Sequence, residues 1–240
     1  MEEKAYKLLA AQEGISNRAA KELIDRGVVY AGGRRVVMAR APMNPKTKFR
    51  VEKIIRTRTL YEDDKILAVE KPAFITSEEI AKKRGLKLLH RLDKETSGVL
   101  LLIKDEAFGK KAVEAFRKQQ VEKIYEAWVE GIVSEPFGID RPILTIKKRG
   151  GAYSKISTDG REARSFVTPL EIEGKKTKVE VRIETGRTHQ IRVHLKSEGY
   201  PIIGDTPYGG KPHRRVLLHA REIRLLGYAF ESPVPEDFRP

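Results

Sequence analysis

The order of apolar and polar positions changes character about a quarter of the way along the chain. Over residues 3–13, Ala5, Leu8, Leu9 and Gln12 recur at helical spacing. Ser16 then offers an N-cap for a second helix carrying Ala19, Ala20, Leu23 and Ile24 on one side, and Gly27 supplies its stop. Val28-Val29-Tyr30 and Arg35-Val36-Val37, joined through Gly32-Gly33, predict a hairpin, and residues 52–60 read as a connection. Beyond that point strand signals dominate. Ile66-Leu67-Ala68-Val69 is stopped by Pro72, and the unbroken run Val99-Leu100-Leu101-Leu102-Ile103 predicts a strand covered on both faces. Asp105 can cap a helix with Phe108, Ala112, Ala115 and Phe116 on one side. Residues 123–129, 163–172 and 178–184 predict strands. The last alternates Val179, Val181 and Ile183 with Glu180, Arg182 and Glu184. Asp159-Gly160 reads as a hairpin turn between Ile156 and Phe166, and Ile191 and Leu195 predict a helix opening at Arg187. The whole is α+β: a mixed, mainly antiparallel sheet with flanking helices over 54–240, preceded by a small domain of two helices and a hairpin over 1–53.

Charge separates the same two regions. The 240 residues carry a formal net charge of +14, which favours a polyanionic partner. Residues 1–58 hold 14 Lys and Arg against 6 Asp and Glu, so more than half of the excess lies in a quarter of the chain. That distribution reads as a separate basic module. Cysteine is absent, which excludes disulfides, thiolate nucleophiles and Cys-ligated metals. No apolar stretch approaches a membrane span, and Glu2, Glu3, Lys4 and Lys7 are incompatible with a signal-peptide core, so a cytoplasmic protein is expected.

One segment concentrates the candidate chemistry. His90-Arg91-Leu92-Asp93-Lys94-Glu95-Thr96-Ser97-Gly98 runs directly into the Val99–Ile103 strand, so Asp93 stands at the edge of a core. A carboxylate there stays ionised only if a cation or several donors hold it. Spacing alone weighs a reactive group and a structural ion pair evenly.

The words of this segment closely resemble the signature of the RluA family of RNA pseudouridine synthases. Three further segments match that family in the same order: Lys123-Ile124-Tyr125, Gly186-Arg187-Thr188-His189-Gln190-Ile191-Arg192-Val193-His194, and Pro201-Ile202-Ile203-Gly204-Asp205. The likeness spans about residues 60–230. The N-terminal helices and the Gly-Val-Val-x-x-Gly-Gly-Arg hairpin resemble the α-L RNA-binding module first described in a small-subunit ribosomal protein. Lys4-Ala5-Tyr6 replaces that module's usual Arg-Leu-Asp opening.

The resemblance implies isomerisation of uridine to pseudouridine in structured RNA, without a cofactor or metal and in the pseudouridine synthase fold. It makes Asp93 the catalytic carboxylate and gives Tyr125 to the base pocket as a stacking face, since a phenol of ordinary pKa near 10 is a poor base. A carboxylate kept charged in a dry pocket calls for a bidentate arginine, and Arg187 in the Gly-Arg-Thr-His-Gln word is the expected partner. Arg91, Lys123, His189 and Arg192 beside the motifs, and Arg18, Arg34 and Arg35 in the basic module, are candidate RNA contacts. His189 and His194, five residues apart, do not face one metal ion from a helix or a strand. The Gly204–Gly210 segment reads as a rigid surface loop. Ribosomal RNA of the large subunit is favoured as substrate over transfer RNA, and a monomer is expected. Two other readings are a non-catalytic RNA-binding or ribosome assembly factor on the same fold, and a hydrolase pairing Asp93 with His90. Intact Asp93, Tyr125 and Arg187 weigh against the first, and the lack of a second carboxylate motif against the other.

Overall fold

A computed structural model describes residues 2–52, 57–148 and 151–240. It divides into two compact units, Met1–Arg56 and Thr57–Pro240. The expected junction between residues 53 and 54 lies outside the described residues.

In the first unit, β1 (Glu3–Lys4) leads into α1 (Ala5–Glu13) and α2 (Asn17–Arg26). The Ser16 hydroxyl accepts the Ala19 amide at 3.1 Å, and Gly27 closes α2 at φ 78°, a left-handed turn that suits glycine. Short strands β2 (Val29–Ala31), β3 (Arg34–Arg35), β4 (Pro42–Met43) and β5 (Phe49–Val51) follow. β2 pairs with both β3 and β5, while β1 pairs with β4. The Gln12 side-chain amide clamps the Phe49 backbone from both sides, at 2.7 and 2.9 Å, which ties α1 to β5. Leu9, Ala20, Ile24, Val28 and Val29 form its buried interior.

The second unit is built on ten strands. They are β6 (Arg58–Glu62), β7 (Ile66–Lys71), β8 (Lys87–Leu88), β9 (Ser97–Ile103), β10 (Glu122–Glu130), β11 (Phe137–Asp140), β14 (Arg164–Glu173), β15 (Lys176–Ile183), β16 (Leu218–Leu225) and β17 (Tyr228–Glu231). Between β11 and β14 a separate hairpin forms from β12 (Ile143–Lys148) and β13 (Gly151–Ile156). The sheet order is β11-β14-β15-β10-β16-β9-β7-β6, with β17 on β16 and β8 on β9. Every pairing is antiparallel except β9 with β16. Helices α3 (Ser77–Arg84), α4 (Glu106–Arg117) and α5 (Gln190–Ser197) flank it.

The patterning translates directly into layers. Val99 and Leu101 join Phe108, Ala112 and Ala115 of α4, while Leu100 and Leu102 join Ile80 and Ala81 of α3, so the aliphatic run is covered on both faces. Tyr125 and Trp128 fall on opposite sides of β10, Tyr125 among Val181, Ile183 and Ile191, and Trp128 against Leu217 and Phe238. β9 meets β16 in a two-residue parallel contact, Ser97 and Gly98 against His219 and Ala220. A Cβ at Gly98 would lie 2.1 Å from the Ala220 carbonyl oxygen, so only glycine permits this crossing, immediately after the Asp93 segment.

Two expectations need correction. The end of the stretch read as a connection, residues 58–60, belongs to β6, an antiparallel edge strand on β7. The Asp159-Gly160 segment does turn, but it joins no hairpin: β13 returns on β12, and β14 pairs with β15 and β11. A lone turn word shows that the chain bends and says nothing of which strands then pair.

Candidate active site

Asp93 occupies the loop between β8 and β9, and its backbone is pinned on either side. Buried Ser77 at the start of α3 accepts the Leu92 amide at 3.0 Å and donates to the Leu92 carbonyl at 3.2 Å. Fully buried Lys71 donates to the carbonyls of Pro72, Ile75 and Lys94 at 3.0, 2.6 and 3.1 Å. Burial pushes the Lys71 ammonium down to about 7 against the opposing pull of Glu95 and Asp93. A point charge spread over three carbonyls is a stiff clamp for a loop without regular structure.

The Asp93 carboxylate points toward α5. Its Oδ2 accepts from Arg192 Nη1 at 3.3 Å, and its side chain remains 24 % exposed. Arg192 is itself fixed from behind. Its Nε and Nη2 donate to the two oxygens of Asp205 at 2.7 and 2.8 Å, and its guanidinium lies 4.9 Å from the Tyr208 ring centroid. Burial disfavours the guanidinium charge, but the Asp205 hydrogen bonds and the charges of Asp205, Asp93 and Glu95 outweigh it and raise the Arg192 pKa.

A cavity of about 1400 Å³ opens beside this pair, lined among others by Asp93, Lys123, Tyr125, Arg187, His189 and Arg192. Burial, then the Asp93 charge, raises the Tyr125 phenol, which stays protonated at neutral pH. Lys123 donates to the carbonyls of Glu184 and Thr185 at 3.0 and 3.2 Å, steadying the end of β15. Burial, then the Arg187 charge, pushes it down to about 8. His189 caps α5 in a left-handed conformation at φ 55°, with Nδ1 2.7 Å from the Tyr208 hydroxyl.

The partner expected for Asp93 was Arg187, and here the structure differs. α5 begins at Gln190, so Arg187 precedes the helix; its amide binds the Gln190 side chain and its Nε donates to the Glu162 carbonyl at 2.8 Å. Arg192, expected as an RNA contact, sits on the helix face turned toward the Asp93 loop. Lys123 and His189, likewise expected as RNA contacts, line the cavity with most of their polar atoms engaged by protein. Arg91 is exposed and paired with Glu78 at 2.7 Å. In the first unit, Arg18 pairs with Glu22, Arg34 is exposed, and Arg35 donates to the Tyr30 hydroxyl.

His90 and His194 are both held by protein partners. His90 Nε2 accepts the Leu101 amide at 3.2 Å and the ring stacks on Phe116, which occupies the lone pair a hydrolytic base would need. His194 is engaged by Ser165 and by the Arg141 carbonyl, both at 2.9 Å. Among the described residues no three His, Asp or Glu side chains converge as a metal site.

Asp205 and Tyr208 were missed as site residues, because their glycine-rich segment read as a surface loop. Both are buried. A Cβ at Gly204 or Gly210 would lie 1.9 Å from the carbonyl oxygen of Arg215 or Ile202, so the glycines admit close backbone packing against the body of the unit.

A model of the RNA pseudouridylate synthase family matches residues 63–197. The chain belongs to that family. An RNA pseudouridine synthase of Helicobacter pylori strain J99 is 51% identical over 240 residues, covering 98% of this chain and 99% of its own. The ribosomal large subunit pseudouridine synthase D of Pseudomonas aeruginosa is 30% identical over 256 residues, covering 89% of this chain and 78% of its own. Among solved structures, human RNA pseudouridylate synthase domain containing 1 aligns with a TM-score of 0.67 at 25% identity, over 80% of this chain and 88% of its own. The human domain-containing protein 4 shares the fold, with a TM-score of 0.64 at 24% identity over 75% of this chain and 90% of its own. The synthase is therefore an isomerase acting on RNA, with the α+β architecture of its family. Among the described residues, no helix is long and apolar enough to cross a membrane.

Proposed function

We propose that this synthase converts a uridine of large-subunit ribosomal RNA in the cytoplasm, with Asp93 as the catalytic carboxylate. The observation that carries this reading is the placement of Asp93: one oxygen on a buried guanidinium, a quarter of the side chain open to a cavity larger than a nucleoside requires. The RNA class rests on the ribosomal large subunit named for the Pseudomonas aeruginosa relative.

The reaction breaks the bond from N1 of the base to C1′ of the ribose and forms one from C5. The proton leaves C5 and N1 gains one, so no redox partner is needed. A stacked uridine must first be everted, at a cost of a few kcal/mol. The Tyr125 face offsets about 1–3 kcal/mol of that by stacking. Asp93, paired with Arg192, then serves as nucleophile or as base at the sugar. Arg187 and Arg91, which line the cavity, meet the RNA in this reading. The N-terminal unit, with Arg18, Arg34 and Arg35, acts as a separate RNA-holding module of the α-L type.

Pseudouridine mapping in total RNA from cells lacking the protein tests the assignment. The expected result is one or more uridines of large-subunit ribosomal RNA left unconverted and restored by the wild-type chain. Loss confined to transfer RNA would overturn the ribosomal reading.

A further inference from the structure

Tyr208 stands where three elements meet: the 3₁₀ turn Thr206–Tyr208, the β12–β13 hairpin and α5. Its ring stacks on Tyr153 at 5.3 Å and 7° and also meets the Arg192 guanidinium. Its hydroxyl oxygen already accepts the Ser154 amide at 2.9 Å, and His189 Nδ1 lies 2.7 Å away. The phenol can donate its single proton to His189 Nδ1 or accept one from it, and the carboxylate beside the other ring nitrogen decides between the two. The network therefore assigns His189 the neutral tautomer with its proton on Nε2. That nitrogen lies 3.9 Å from Asp93 Oδ2. The other tautomer would aim a ring lone pair at a carboxylate. Burial lowers the His189 pKa and favours the neutral ring, against the opposing pull of Asp93.

The backbone adds an independent observation. His189 holds φ 55° and ψ 24°, a left-handed region uncommon outside glycine, in which Asn, Asp and His are the side chains found most often. That conformation at the first turn of α5 keeps the ring between Tyr208 and Asp93. Both Arg192 and His189 address the same oxygen, Oδ2, which leaves Oδ1 without a protein partner among the described residues.

We infer that His189 is a positioning residue of the synthase reaction: its Nε2–H, set by the Tyr208 hydroxyl, orients Oδ2 of Asp93 so that Oδ1 is presented to the flipped nucleotide. The inference rests on Asp93 being the catalytic carboxylate. It removes His189 from the RNA contacts and couples the cavity-lining β12–β13 hairpin, through the Ser154 amide and Tyr208, to the reacting group.

The test uses the full chain and an unmodified large-subunit ribosomal RNA transcript. His189→Asn suits the left-handed backbone and can still reach Tyr208, but its amide is too short to reach Asp93. It should lower kcat about tenfold with KM within about twofold of wild type. His189→Gln restores a donor near the Nε2 position and should recover most of the loss. Tyr208→Phe keeps both ring contacts and should lower kcat about threefold. The His189→Asn/Tyr208→Phe double variant should be no slower than His189→Asn alone, since both changes sever one relay. A raised KM with kcat intact would return His189 to the RNA contacts. Strictly additive losses, or none, would equally overturn the inference. Asp93→Asn, run alongside, separates the two claims: if it is active, the Asp93 assignment falls, whereas an inactive Asp93→Asn beside a fully active His189→Asn overturns the relay alone.

Discussion

The two sides of the Arg192 guanidinium are built to different standards. On the α5 side, Asp205 is wholly buried and bonded twice, at 2.7 and 2.8 Å. On the cavity side, Asp93 makes one longer contact of 3.3 Å and stays partly exposed. The same cation thus serves a buried anchor and the carboxylate proposed to do the chemistry. A carboxylate engaged through both oxygens has little left to offer a substrate, whereas one touched at a single oxygen keeps a free lone-pair set. Asp205 neutralises the buried arginine and aims it, and Asp93 uses the field that remains.

Removing the shared cation should give the largest effect. Arg192→Met leaves Asp205 buried and unpaired, so thermal unfolding should show about 3–5 kcal/mol of lost stability, and product formation should fall about a thousandfold or more. Asp205→Asn attacks the anchor alone. About 3 kcal/mol of stability should go, and kcat should fall about 10–100-fold because the guanidinium is no longer aimed. Equal losses of stability from Asp205→Asn and Asp93→Asn would erase the asymmetry.

Acid should weaken the Asp93 side as well. His90 precedes Asp93 in its loop, and His219 accepts from Ser97 at the loop's far end at 2.8 Å. Burial pushes each imidazole down to about 4. The unfolded rings take up protons near pH 6.5, so the unfolded chain binds more protons between those values. Stability is then complete above about pH 6.5 and drains as pH falls toward 4, by about 2 kcal/mol per ring at pH 5. Melting followed against pH should show this slope, and His219→Gln should flatten it. The smallest effect belongs to the cavity rim: Arg187→Ala should weaken RNA binding by less than about 1 kcal/mol and lower the salt slope by about one, with kcat kept. A collapse of kcat would give Arg187 the role that the geometry places on Arg192.

How much of this was legible varied with the kind of signal. The Asp105 cap, the covered strand at Val99–Ile103 and the opposite facing of Tyr125 and Trp128 all follow from local periodicity, and the structure reproduces them. The choice between Arg187 and Arg192 did not. Each residue of helix turns a side chain by about 100°, so opening α5 at Gln190 instead of Arg187 changes which arginine looks at Asp93. Asp205 was hidden for another reason. Glycines that admit close backbone contact look, in a linear string, the same as glycines that turn a surface loop. Burial of Lys71 was equally invisible, because a lysine before a proline carries no sign that three carbonyls will surround it.

The asymmetry between the two carboxylates is tested most directly by Asp93→Asn, assayed at saturating RNA with affinity and melting temperature measured on the same protein. The account requires no detectable pseudouridine, RNA affinity within about twofold, since phosphate contacts supply most of it, and stability within about 0.5 kcal/mol. Conversion near the wild-type rate, or a stability loss as large as that of Asp205→Asn, would contradict it.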